Sequence, residues 1–205
     1  MRPDPQDVAK IIAETAQREM LPRFGRLATS SVYEKSGPND LVTDVDYAME
    51  SALRSAFAEL CPDADFIGEE RAAADPAVME GLAGPGRFWI VDPLDGTRNF
   101  VRGAAEFGTI VAFVEDGVTT MGWIYAAPDD AFAIAVKGSG ASWTGPRPEK
   151  PRGDGGPRGM RSVGWLSDEF GHIGRNLRTE FRTDGSHCSA YAYIELLRGG
   201  FDFAV

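Results

Sequence analysis

The residues best suited to chemistry in this sequence are Asp92-Pro93-Leu94-Asp95-Gly96-Thr97, which follow directly on the apolar run Phe88-Trp89-Ile90-Val91. The apolar run reads as a buried strand, and a strand end is a rigid platform. Pro93 fixes one backbone angle and Gly96 permits a tight turn. Two carboxylates three residues apart around such a turn can converge on one point, where their repulsion makes a cation the natural partner. Hard oxygen ligands favour magnesium, manganese or calcium over zinc. The Leu94 carbonyl lies between the two aspartates and can add a backbone ligand. A helix beginning near Thr97 would turn free N–H groups to the same point, where they can hold a phosphate. Turn chemistry alone also accounts for each of these residues, and that reading stands beside the metal one. The spacing does not fit an EF-hand, which needs ligands at alternating positions and a distal Glu.

Two further acidic groups lie upstream. Gly68-Glu69-Glu70 follows the short run Phe66-Ile67 and can complete a metal shell, although acidic pairs are mostly solvated surface. The segment Lys35 to Asp46 crowds Asp40, Asp44 and Asp46 together; a loop followed by a capped helix explains Pro38 and Thr43 but not that crowding.

The elements that must position these groups follow from periodicity. Val8, Ile11, Ile12, Ala16 and Met20 have helical spacing and predict a helix over 7–24. A second helix starts at Thr43 or Asp44 and ends before Pro62. Residues 71–86 read as a connection rich in small residues. Three strand-like runs, 109–114, 119–126 and 131–136, predict an antiparallel meander. Residues 145–159 are the clearest linker. Beyond it, strand, helix, strand and helix at 161–166, 168–177, 179–183 and 186–197 alternate as an α/β unit, and 201–205 reads as a further strand. The division expected is a metal-binding α+β domain over 1–145 and a partial α/β domain over 146–205.

Composition narrows the classes. The 205 residues include 21 Lys and Arg against 31 Asp and Glu, a formal net charge of -10. Such a surface repels nucleic acid and anionic membranes, so neither is an expected partner. Cys61 and Cys188 form no C-x-x-C pair and read as buried free thiols. The N-terminus has no apolar h-region and no apolar run is long enough to span a bilayer, so the expected location is cytoplasmic.

Taken jointly, Asp40-Leu41-Val42-Thr43-Asp44-Val45-Asp46, Gly68-Glu69-Glu70 and Trp89 to Phe100 resemble the inositol monophosphatase family in order and approximate spacing. The likeness continues through Phe107-Gly108-Thr109, Gly138 to Ala141 and Gly185-Ser186 to Gly199-Gly200-Phe201-Asp202. The resemblance implies an α+β fold, the layered αβαβα sandwich, usually dimeric. It implies that Glu69, Asp92, the Leu94 carbonyl and Asp95 bind two or three magnesium ions, with Asp46 near the third and weaker one. Manganese is a possible substitute and calcium an inhibitory mimic. Thr97 and Glu69 would orient the attacking water, the Gly96 and Thr97 N–H groups would hold the phosphate, and Lys35 would help to hold an outer ion or phosphate. The family also has a late Trp-Asp motif. Here Trp89, Trp123, Trp143 and Trp165 are followed by Ile, Ile, Thr and Leu, so the second domain reads as truncated or the sequence as incomplete.

The activity implied is magnesium-dependent hydrolysis of a small alcohol or sugar phosphate, inositol monophosphate by default, through water rather than a phosphoenzyme. Histidinol phosphate is a close rival, and fructose bisphosphate and phosphoadenosine phosphate are further options. A weakly active or non-catalytic homologue is the reading from another class. A glycoside hydrolase would use two carboxylates but has no need of Thr97 after Asp-Gly. His172 and His187 read as structural. Gly138-Ser139-Gly140 reads as a turn, and the arginines at 147, 152, 158 and 161 as a solvated loop.

Overall fold

The computed structural model of the chain describes residues 2–26, 31–37, 40–146, 157–161, 182–185 and 188–204. Helix α1 (Pro5–Glu19) begins where Asp4 accepts the Gln6 N–H at 2.7 Å and Pro5 takes a first-turn position. It stops earlier than the periodicity suggests. Pro22 has no N–H to continue the ladder, and residues Leu21–Arg23 form a single 3-10 turn instead. Strands β1 (Val32–Gly37) and β2 (Asp40–Thr43) form an antiparallel hairpin where the sequence suggested only a loop. Helix α2 (Asp44–Leu60) follows, with Thr43 as its N-cap.

Strand β3 (Asp65–Gly68) runs straight into a short helix α3 (Glu69–Ala74), and a 3-10 segment at Pro76–Ala83 completes what had read as a plain connection. Strand β4 (Arg87–Asp95) leads to α4 (Thr97–Arg102). The expected meander is present as β5 (Gly108–Glu115), β6 (Val118–Ala126) and β7 (Ala131–Val136), and β8 (Gly140–Trp143) extends it beyond the turn at Gly138. These strands form one sheet in the order β3-β4-β5-β6-β7-β8, parallel between β3 and β4 and antiparallel elsewhere.

A second, parallel sheet has the order β10-β9-β11, from β9 (Arg158–Arg161), β10 (Arg182–Gly185) and β11 (Phe203–Ala204). Helix α5 (Ser189–Arg198) precedes β11 and packs against β5 and β6. Arg158 sits on β9 with its guanidinium 5.1 Å from the Phe201 ring centroid, not in a solvated loop. The helix expected over 168–177, His172, His187, Arg147 and Arg152 lie outside the described residues.

The main core lies between the large sheet and the first two helices. Val8, Ile12, Ala16 and Met20 on one side, and Val45, Met49, Leu53 and Phe57 on the other, repeat every four residues and are buried as two stripes. Phe57 stacks on Trp89 of β4 with ring centroids 4.3 Å apart, and Trp89 in turn meets Phe113. Burial of each such side chain stabilises the fold by about 1.5–3 kcal/mol. The consequence for function is that α2 packs along one face of β4 and so helps to set where the residues at its end stand. Among the described residues no helix is long and apolar enough to cross a membrane.

Candidate functional site

The end of β4 is where the acidic motif falls, and its backbone departs from a regular strand there. Asp92 pairs with Ile110 of β5 and Asp95 with Gly108, so Pro93 and Leu94 together oppose the single residue Thr109. Side chains three apart on a regular strand point to opposite faces. The extra residue of this bulge returns Asp95 to the side of Asp92. Pro93 is suited to the position because a bulge needs no ladder N–H from it. Its carbonyl accepts the Thr109 hydroxyl at 3.0 Å.

Gly96 then turns the chain into α4 with φ of 86°, and a Cβ there would lie 2.8 Å from the Glu106 carbonyl and 3.1 Å from Cys188 Cβ. Both the backbone angle and the space require glycine. Gly96→Ala is expected to destabilise the protein by about 1–3 kcal/mol, measured by chemical denaturation; an unchanged midpoint would show that the turn can relax.

Asp92 carries the electrostatic signature of the site. Its Oδ1 is buried and has no hydrogen-bond partner among the described residues. Burial pushes its carboxyl well above the usual range, reinforced by the charges of Glu69 and Asp95, by a hydrogen bond with Glu69 and by Asp46. Asp95 is also pushed up by burial, and this is opposed by donors from the start of α5: the Ala190 N–H, the Cys188 thiol and the Ser189 N–H. Cys188 Sγ lies 3.0 Å from Asp95 Oδ2, and burial followed by the Asp95 charge pushes the thiol up, so it stays a neutral donor.

Asp46 is fully buried at the first turn of α2. Its Oδ2 accepts the Thr43 N–H at 2.8 Å and the Thr43 hydroxyl at 2.6 Å, and its Oδ1 lies 3.2 Å from the Thr97 hydroxyl. That hydroxyl is also 2.9 Å from the Leu94 carbonyl. Thr97 therefore ties the acidic turn to the start of α2. Glu69 stands exposed at the start of α3, beside the end of β4 because β3 and β4 are paired through Gly68 and Val91. The Lys35 side chain lies outside the described residues.

The structure thus brings Glu69, Asp95 and Asp46 within electrostatic reach of Asp92. Among the described residues, no three carboxylate, thiol or imidazole groups close on a common point. Clustered carboxylates keep apart unless a cation or a proton joins them. The donor set is all oxygen, with one buried carboxylate oxygen unsatisfied, and it fits a hard divalent cation. Cys188, Ser189 and Ala190 were not identifiable from sequence as neighbours of Asp95. They lie more than ninety residues away, and only the placement of α5 against β5 and β6 joins them.

Residues 4–193 match the inositol monophosphatase family. A fructose-1,6-bisphosphatase/inositol-1-monophosphatase of Aquifex aeolicus is 32% identical over 141 residues, covering 69% of this chain and 50% of the relative. The chain spans about half the length of the curated relatives it matches. Among solved structures, a Thermotoga maritima IMPase superposes with a TM-score of 0.75 at 25% identity, over 97% of this chain and 74% of that one. An IMPase/NADP phosphatase complexed with Mg2+ and phosphate superposes with a TM-score of 0.70 at 21% identity, over 96% and 73%.

Proposed function

This chain belongs to the inositol monophosphatase family, and on that premise we propose that it is a magnesium-dependent phosphomonoesterase acting on a small alcohol or sugar phosphate. The observation that carries the reading is the buried Asp92 oxygen without a partner, set among three other carboxylates. In the proposal Asp92, Asp95, Glu69 and the Leu94 carbonyl hold magnesium. When bound, the ion supplies positive charge against the clustered carboxylates and the phosphate, and makes water a stronger nucleophile at neutral pH. The Thr97 hydroxyl and the Glu69 carboxylate orient the attacking water. The Gly96 and Thr97 N–H groups receive the phosphate oxygens. Asp46 serves chiefly to hold Thr97 and the start of α2, since both of its oxygens already face donors within the protein.

A small phosphorylated metabolite is the proposed partner, with inositol monophosphate first and histidinol phosphate and fructose bisphosphate as rivals. The protein is proposed to act as a cytoplasmic homodimer. The test is phosphate release from these three esters, before and after chelation and with magnesium restored. Charge stabilisation of several kcal/mol by the ion corresponds to a rate loss of about a hundredfold to a thousandfold on chelation. Release that persists unchanged in chelator would overturn the reading.

A further inference from the structure

We infer that Glu50, on α2, is a positioning residue for Glu69: it caps the start of α3 from outside the helix and so fixes where the Glu69 carboxylate stands. The inference rests on the proposed role of Glu69 as a metal ligand and names a residue that holds it there.

Helix α3 begins at Glu69 with Gly68 as its N-cap, and glycine has no side chain with which to cap. The missing acceptor comes from α2. Glu50 is buried, and its Oε2 accepts the Glu70 N–H at 3.0 Å. The carboxylate also lies directly over the bare α-carbon of Gly68, because a Cβ built there would be 2.1 Å from Glu50 Oε2 and 2.2 Å from its Cδ. Gly68 is thus required by the carboxylate that packs on it. A negative group at this helix start also matches the helix dipole.

Glu50 is itself held from a second direction. Its Oε1 pairs with Arg54 one turn along α2 at 2.8 Å, and the Arg54 guanidinium lies 4.6 Å from the ring centroid of Phe66 on β3. Both oxygens are therefore engaged, which gives Glu50 a supporting task and not a ligand's. The chain of contacts runs from α2 through Glu50 to the Gly68–Glu70 backbone, and Glu69 is the residue between. Glu69 is exposed and sits in the first turn of a helix of six residues, where the backbone frays easily without a cap.

The test compares the wild-type protein with Glu50→Gln, Glu50→Asp and Glu50→Ala, each also in a Glu69→Ala background. Magnesium affinity is read by calorimetry, folding by circular dichroism, and kcat and KM by phosphate release. Glu50→Gln retains an acceptor for the Glu70 N–H and is expected to stay within about threefold of wild type. Glu50→Asp withdraws the carboxylate from that N–H, and Glu50→Ala removes it. Both are expected to weaken magnesium binding by about tenfold or more, with kcat falling and KM little changed. In the Glu69→Ala background the same substitutions are expected to have no further effect, because the ligand they position is gone.

Glu50→Asp carries the comparison if Glu50→Ala fails to fold. Wild-type affinity in the folded Glu50→Asp protein, or losses that add to those of Glu69→Ala, would overturn the inference. A wild-type protein that binds no magnesium would overturn the metal reading itself, and this inference with it.

Discussion

Asp92→Asn is expected to abolish magnesium-dependent phosphate release while making the metal-free protein more stable. The two effects have one cause. Asp92 is half-buried with its Oδ1 shielded from solvent, beside Glu69, Asp95 and Asp46, so in the absence of a cation folding either confines a repelled charge or draws in a proton. Asparagine has nearly the same shape and needs neither. The sign with pH follows. The carboxyl's pKa is raised in the folded state, so its contribution to stability is full below the unfolded value of about 3.9 and is lost as pH rises through the folded one. The stability gap between Asp92→Asn and wild type, both metal-free, should therefore widen as pH rises above about 4.

With magnesium the order reverses. A ligand at a hundred times its dissociation constant stabilises by about 2.7 kcal/mol, and the wild type should gain this while the variant gains little. The rate loss should approach that of chelation, about a hundredfold to a thousandfold, since it arises from the same lost charge stabilisation of several kcal/mol. Denaturant titrations at several pH values, with and without magnesium, check the stability arm. A variant that is destabilised without metal, or that is still stabilised by magnesium, would remove Asp92 from the proposed metal shell.

Asp92 and Asp95 were legible in the sequence because the features that make their site are local. An apolar strand, a proline and a glycine three residues on contain both the bulge and the left-handed turn. The two core helices were legible for a similar reason: apolar residues every four positions need only one face to bury. The β1–β2 hairpin was missed because its strands are short and polar, with Glu34, Lys35 and Ser36 giving no alternation to read. Helix α3 was missed because Ala-rich, acidic Glu69–Ala74 has no apolar stripe, and its cap comes from Glu50 on another helix. Long-range packing also decides that a cysteine and two backbone N–H groups meet Asp95. Local pattern marks the acidic turn here, while tertiary contacts decide which groups pack around it.

Asp95 should respond to substitution in the opposite sense to Asp92, although the two lie three residues apart. Its Oδ2 accepts from the Ala190 N–H and, at 3.0 Å, from the Cys188 thiol, so it fastens the end of β4 to the start of α5. Asp95→Ala leaves these two donors, and the Ser189 N–H, without their acceptor in a place shielded from water. Loss of hydrogen bonds to a charged group, with donors left unpaired, costs about 2–3 kcal/mol. The loosening should be local: amide exchange in α5 and β11 should accelerate, while α1 and α2 keep their protection. Asp95→Asn separates that fastening from the charge. Its amide oxygen can still accept the Ala190 and Cys188 bonds, so stability should stay near wild type. The lost charge weakens magnesium binding, so hydrolysis should fall about as far as in Asp95→Ala. If Asp95→Asn loosens α5 as much as Asp95→Ala does, the fastening depends on the ionised carboxylate. If both variants keep wild-type magnesium affinity, Asp95 only joins the two parts of the chain and the proposed ligand set loses one member.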